Sequence, residues 1–114
     1  MNVVVLQGVL SRTPEIRELS SGSTLVSFDV STPTDEGMAS VPVAWFDPRT
    51  TAVFDAGDEV VVVGQVRRRF FRSGAATQSR TEVVAQGVVR ARQRRAVERL
   101  LVNAAQALEG SKGA

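Results

Sequence analysis

Four arginines and two phenylalanines occupy one short segment of the chain, residues 67–72, directly after an apolar run at residues 59–66. A guanidinium group is a planar donor for phosphate oxygens, and an aromatic ring offers a face on which a base stacks. Single-stranded nucleic acid requires both chemistries from one groove. The segment therefore predicts a surface for a phosphate-bearing strand. The structural alternative is a charged face that protects a sheet from aggregation.

The basic segment reads as the end of one long strand from Glu59 to about Arg72. Side chains alternate between the two faces of a strand. We therefore expect the outward-facing set to be Gln65, Arg67, Arg69 and Phe71. The opposite set is expected to face the core: Val60, Val62, Val66 and Phe70. Arg68 falls on this second side, and we assign it no direct contact.

Two further arginines are candidates for the same binding surface. Arg72 closes the basic segment, and Arg80 lies across the predicted hairpin from it. The hairpin tip at residues 73–77 consists of small residues and could reach a bound strand. We include both arginines among the predicted nucleic-acid-binding residues.

The charge of the chain is distributed unevenly, although its net value is only +2. Residues 1–66 carry three arginines and nine acids, a net charge of −6, whereas residues 67–114 carry eleven cations and three acids, a net charge of +8. Thirteen of the fourteen cations are arginine. A basic half of this composition favours a polyanionic partner, although a solvated surface has the same pattern.

The residues that most enzymes and metal sites use are missing from the sequence. The chain contains neither cysteine nor histidine, and its one lysine is Lys112. Disulfides, thiolate metal sites, histidine bases and the lysine of a P-loop are thereby excluded. We expect a protein that binds without catalysis, cofactor or metal.

The length of 114 residues predicts a single domain. Five β-branched or alternating segments read as strands, at residues 2–10, 24–32, 41–46, 59–72 and 79–89. Asp47 and Pro48 suggest a short helix to about Phe54 before the fourth strand. We therefore predict an all-β chain with a five-stranded OB-fold barrel, a sandwich being the alternative.

The end of the chain differs in kind from the barrel. Apolar residues at helical spacing between residues 92 and 108 predict a C-terminal α-helix. Our domain assignment is residues 1–90 for the nucleic-acid-binding barrel, 91–109 for a basic amphipathic helix and 110–114 for a disordered tail. No apolar run is long enough for a membrane span, so we expect a cytoplasmic protein without a membrane partner.

The ordered series of residues resembles the bacterial single-stranded DNA-binding proteins. In the first half the shared positions are Asn2, Gly8, Leu10, Arg12, Pro14, Glu15, Arg17, Gly22, Val26, Phe28, Thr32, Val43, Ala44 and Trp45. In the second half they are Gly57, Val60, Val62, Gly64, Gln65, Val66, Arg67, Arg69, Phe71, Thr81, Glu82, Val83 and Val84. The resemblance covers about residues 2–89.

The resemblance implies an OB barrel that binds single-stranded DNA with little sequence preference, in replication, recombination or repair. It implies a nucleoid-associated homo-oligomer, a tetramer with a dimer also possible. Its basic and stacking positions match Arg67, Arg69 and Phe71, and its third-strand aromatic position matches Trp45. A one-residue shift would exchange the orientations of Trp45 and Phe46.

Three departures from the family pattern point to a divergent, tail-less paralogue. Residues 109–114 lack the acidic, aromatic-terminated tip that recruits repair enzymes, so we do not expect that recruitment. The loop at residues 32–40 lacks aromatic residues, and the helix before the fourth strand is shortened. Two alternatives stay open: an OB-fold subunit for protein interaction or assembly, and RNA or primosome-type binding on the same fold.

Overall fold

The computed structural model describes residues 1–50 and 53–111, with side chains described up to residue 108. Within these ranges the elements are β1 (Val4–Leu10), β2 (Glu15–Glu18), β3 (Thr24–Thr34), β4 (Gly37–Phe46), β5 (Glu59–Ser73), β6 (Ala76–Arg90) and α1 (Arg94–Ser111). The strand order is β1-β5-β6-β4-β3-β2, and β1 also pairs with β3. Five strands therefore close into a ring, with β2 on the free edge of β3. This ring confirms the predicted OB-fold barrel.

The barrel closes where β1 passes from β5 to β3. β1 pairs with β5 from Val4 to Val9 and with β3 at Val9 and Leu10. A Cβ atom at Gly8 would lie 2.3 Å from the carbonyl oxygen of Ser31, so only glycine permits this close approach. The apolar side chains that point into the ring are fully buried at Leu10, Val30, Val60 and Val62.

A β-bulge marks the point where β5 and β6 leave the barrel. Val63 pairs with Gly87 and Gly64 pairs with Ala85, so Gln86 has no partner on β5. β1 pairs with β5 only as far as Gly64, and β4 pairs with β6 only at Val83 and Val84. Residues 67–82 therefore pair only with each other. We call this projecting hairpin the arm.

The short helix predicted from Asp47 to about Phe54, before the strand that is now β5, is not seen. Residues 47–50 and 53–58, the described part of that segment, contain no helix. Asp47 does not cap a helix. Its carboxylate accepts a hydrogen bond from the Thr24 amide at 2.8 Å, and its own amide donates to the Thr24 carbonyl at 2.8 Å. Asp47 has a φ of 47°, which turns the chain away from β4 instead of into a helix.

The loop predicted at residues 32–40 is largely a β-hairpin. β3 continues to Thr34 and β4 begins at Gly37, whose φ of 114° allows the tight turn between them. α1 runs from Arg94 to Ser111, so it begins and ends slightly later than predicted, and residues 112–114 lie outside the described residues. In the described part of the chain, no helix is both long and apolar enough to cross a membrane.

Candidate nucleic-acid interface

A groove of about 560 Å³ runs across the outer surface of β3, β4, β6 and β5 and reaches the segment between β1 and β3. The described residues that line it include five arginines and three carboxylates, a net charge of +2: Arg12, Arg17, Arg67, Arg69, Arg80, Glu15, Asp29 and Glu82. Apolar side chains complete the lining, among them Phe46, Leu25 and Phe28. The groove is thus a basic channel with an aromatic component.

The register of β5 and β6 brings the predicted arginines together. Arg67 pairs with Glu82, Arg69 with Arg80, and Phe71 with Gln78. We call the side of the arm that carries these residues the groove face. The directly opposed cations Arg69 and Arg80 would repel each other without nearby negative charge. The arrangement therefore depends on the carboxylates of the groove.

Glu82 holds two arginines of the groove face. Its Oε2 lies 2.5 Å from Nη2 of Arg67 and 3.6 Å from Nε of Arg69. The Glu82 side chain is only 6% exposed, whereas those of the two arginines are 42% and 46% exposed. A buried carboxylate without a partner is costly, so this geometry holds both guanidinium groups at the groove.

Asp29 likewise lies between two arginines, on the other side of the groove. Its Oδ2 lies 3.2 Å from Nη2 of Arg12, and its Oδ1 lies 4.0 Å from Nη2 of Arg80. Each carboxylate is thus shared by two arginines, and each three-residue group keeps a charge of +1. A guanidinium has five N–H donors, so the shared carboxylates leave donors for a further anion.

Two aromatic rings lie against the same arginines. The guanidinium carbon of Arg67 lies 5.6 Å from the centre of the Phe46 ring, and that of Arg69 lies 5.3 Å from the centre of the Phe71 ring. Such cation–π contacts orient the guanidinium plane relative to the ring. Guanidinium groups and aromatic rings therefore adjoin each other, and on β5 these are the predicted residues Arg67, Arg69 and Phe71.

The predicted outward orientation of Trp45 is wrong. Its side chain is 7% exposed and makes an edge-on contact with Phe54, with ring centroids 6.1 Å apart. β4 pairs Trp45 with the buried Val26, so both side chains point into the barrel. Phe46 takes the outward position, which is the one-residue exchange left open by the sequence.

The structure separates Arg72 from the other predicted arginines. Arg72 lies on the opposite side of β5 from Arg67 and Arg69 and does not line the groove. Phe70, predicted to be core, is on that same opposite side and is 67% exposed. The alternation of β5 is as predicted, but the strand extends beyond the barrel, where no second layer covers it.

Sequence reasoning did not assign Phe46, Arg12 and Arg17 to the site, although all three line the groove. Arg17 lies with Glu15 and Glu18 on β2, and charged side chains on a short strand are typical of a solvated sheet edge. Only the pairing of β2 with β3 brings this strand to the groove. The β4 register would have identified Phe46, and the local sequence does not determine that register.

No protein-family model and no curated protein sequence matches this chain. Among solved structures, the fold is similar to that of a Plasmodium falciparum SSB in complex with single-stranded DNA, with a TM-score of 0.70 and 17% sequence identity. The similarity covers 79% of this chain and 94% of the Plasmodium chain. At this identity the likeness concerns the fold, and it agrees with the OB barrel that the sequence resemblance implies.

Proposed function

We propose that the protein binds single-stranded DNA in the groove, with little sequence preference and without chemistry. The observation that carries this proposal is the sharing of Glu82 by Arg67 and Arg69, each of which also lies against an aromatic ring. The Plasmodium structure with the similar fold contains single-stranded DNA, which supports the same class of ligand. A basic groove with an aromatic ring in its lining suits one flexible strand.

In this mechanism the phosphate backbone contributes most of the affinity. Arg12, Arg67, Arg69 and Arg80 bind phosphate oxygens with the donors that Asp29 and Glu82 leave free. Binding releases counterions from the strand, so the affinity falls as salt rises. The carboxylates hold the guanidinium groups in position before DNA arrives, which lowers the entropy lost on binding.

Splayed bases stack on Phe46, which lines the groove, and on Phe71, which lies beside Arg69 on the groove face of the arm. Stacking contributes about 1–3 kcal/mol per base and tolerates every base because each has a π-face. This tolerance is why little sequence preference is expected. Within this proposal we keep replication, recombination or repair as the setting, a homo-oligomer as the assembly and the cytoplasm as the location.

The test is a titration of a fluorescently labelled oligo-dT with the protein, followed by anisotropy at several salt concentrations. Tryptophan quenching is a poor readout because Trp45 is buried. We expect binding at low salt, with log Kd rising linearly with log salt. Absence of binding at low salt would rule out the proposed function and favour an OB-fold subunit for protein assembly.

Competition experiments separate the remaining alternatives on the same fold. Unlabelled single-stranded DNA should displace the oligonucleotide better than duplex DNA, because stacking requires unpaired bases. Preferential displacement by single-stranded RNA would instead indicate RNA or primosome-type binding.

A further inference from the structure

The side of the arm opposite the groove carries a second set of basic, aromatic and hydroxyl side chains. On β5 these are Arg68, Phe70 and Arg72, and Val66 lies on the same side at the base of the arm. The register places Thr81 opposite Arg68, Ser79 opposite Phe70 and Thr77 opposite Arg72. We call this set the outer face of the arm. Val66 is 45% exposed and Phe70 is 67% exposed.

The arginines of the outer face have no partner among the described residues. In the described part of the chain, neither Arg68 nor Arg72 forms an ion pair, side-chain hydrogen bond or cation–π contact. Glu82 is the one acid between residues 67 and 82, and it points to the groove face. The outer face therefore has two free cations and no negative charge.

Protection of the arm against aggregation explains only part of this surface. Exposed charges on a projecting hairpin prevent edge-to-edge pairing, which accounts for Arg68 and Arg72. An exposed phenylalanine between them works against that purpose because it adds a β-forming apolar side chain to the same surface. Protection against aggregation therefore does not explain the exposed position of Phe70.

We propose that the outer face is a second binding surface for single-stranded DNA. Phe70 stacks on a base, Arg68 and Arg72 bind the flanking phosphates, and the hydroxyl groups of Thr77, Ser79 and Thr81 add phosphate contacts. This inference rests on the proposed function of the groove. It adds a second surface that the same strand occupies after the groove is filled.

The arm permits one strand to reach both of its faces. From residue 67 to residue 73, the edge of β5 away from β6 has no neighbouring strand among the described elements. A two-stranded ribbon with its side chains is about 10 Å thick, by analogy with the spacing of packed sheets. At the roughly 3.4 Å per nucleotide of a stacked duplex strand, about three nucleotides would cross that thickness, and a splayed single strand needs fewer. The DNA thus bends around the open edge of β5.

The direct test places a reporter on the outer face. In the Phe70→Trp variant, fluorescence is followed during titration with oligo-dT of about 6 and about 20 nucleotides. The first is near the lower end of the roughly 4–16 nucleotides that an OB fold covers, and the second is beyond the upper end. The wild-type protein supplies the background signal of the buried Trp45. We expect the longer oligonucleotide to quench the introduced indole strongly and the shorter one to quench it little.

A charge-matched pair of variants provides the second measurement. Arg68→Ala/Arg72→Ala should weaken binding of the longer oligonucleotide about 10-fold. Each lost solvent-exposed charge contact lowers the affinity by about twofold to fivefold, and the variant loses two. It should leave binding of the shorter one unchanged. Arg95→Ala/Arg99→Ala removes the same charge from exposed positions of α1 and should leave both affinities unchanged.

The outcomes distinguish the two proposals. The outer-face proposal would be overturned if the introduced indole stayed unquenched when anisotropy shows saturation and if the two double variants bound with equal affinity. The proposal for the groove would be unaffected. That result is also the one expected if an acidic peptide or only solvent covers the outer face. If the wild-type protein binds neither oligonucleotide, the proposed function itself fails.

Discussion

The two faces of the arm carry the same kinds of side chain in different states of pairing. On the groove face, Arg67, Arg69 and Arg80 each have a carboxylate within 4.0 Å. On the outer face, Arg68 and Arg72 have none within the described residues. Alternation along one strand therefore produces a pre-organised basic surface on one side and a free one on the other.

An internal carboxylate has two opposite effects on a surface that binds anions. It lowers the net positive charge of the groove face, but it also fixes the guanidinium groups and limits the rotamer entropy that binding removes. In our proposal, the arginines of the outer face have no carboxylate to hold them and must be ordered when the DNA binds. We expect the groove face to bind first and the outer face to depend more on chain length.

The largest effect on binding should come from Arg67→Ala/Arg69→Ala. Two charge-assisted contacts of about 1.5 kcal/mol each correspond to roughly 100-fold weaker binding at low salt. The salt slope should fall by about 0.7 for each lost phosphate contact. The measurement is the anisotropy titration at several salt concentrations, compared with Arg68→Ala/Arg72→Ala.

This double variant needs a control for folding because it leaves Glu82 buried without a partner. Adding Glu82→Gln to the two alanines removes the unpaired charge, and circular dichroism reports whether either variant is folded. A folded triple variant with an unchanged salt slope would show that the groove face is not the primary surface.

The next effect should come from Gly64→Ala, at the point where the arm leaves the barrel. A Cβ atom there would lie 2.1 Å from the carbonyl oxygen of Val84, a backbone atom held in the β5–β6 pairing. We expect a loss of about 2 kcal/mol in the free energy of unfolding, the scale of overpacking in a fixed structure. Thermal unfolding measures it.

Gly87→Ala is the matched comparison, because its Cβ would meet the end of the Leu100 side chain at 2.5 Å. A side-chain end can rotate away, so the loss should be smaller. Since Gly64 positions both faces of the arm, binding of long and short oligonucleotides should weaken together in Gly64→Ala. A loss confined to the longer one would contradict this view.

A smaller effect is expected from Phe46→Ala. Loss of one stacking ring should weaken binding about 10-fold, within the range of 1–3 kcal/mol known for base–aromatic stacking. Trp45→Phe is the control at the neighbouring position, where the side chain is buried. That variant should lose stability but keep its DNA affinity, and an equal loss of affinity in both would argue against the assigned orientations.

The smallest effect, and one of opposite sign, is expected from Glu82→Gln. Glutamine keeps an acceptor oxygen that can position Arg67 and Arg69. Removing the negative charge beside them should therefore strengthen binding at low salt about fivefold, or about 1 kcal/mol for a contact in high dielectric. Glu98→Gln makes the same charge change on α1, and its affinity should match that of the wild type. Weaker binding by Glu82→Gln would mean that fixing the guanidinium groups matters more than charge.

Much of the barrel could be predicted from local pattern. Strands such as β1 and β5 are rich in β-branched residues, and their alternation is a property of each strand by itself. The side of β5 that carries Arg67, Arg69 and Phe71 was therefore predictable without a structure. The same is true of the uneven charge and of the amphipathic C-terminal helix.

The candidate site was less predictable, because its parts are distant in sequence. Asp29 meets Arg12 and Arg80 only after β3 and β6 have taken their places in the barrel. The outward position of Phe46 depends on the pairing of β4 with β3, where a shift of one residue would exchange it with Trp45. At Asp47 the local sequence is typical of a helix start, but hydrogen bonds with Thr24 hold this residue in a different conformation.

Which side chains of β5 share a face follows from the local sequence, since the two-residue period of a strand requires no tertiary partner. The tertiary structure alone decided what each face meets. β1 stops pairing with β5 at Gly64, so the arm projects and Phe70 is exposed instead of buried. Glu82 and Asp29 lie on the groove side, so pairing with carboxylates distinguishes one set of arginines from the other.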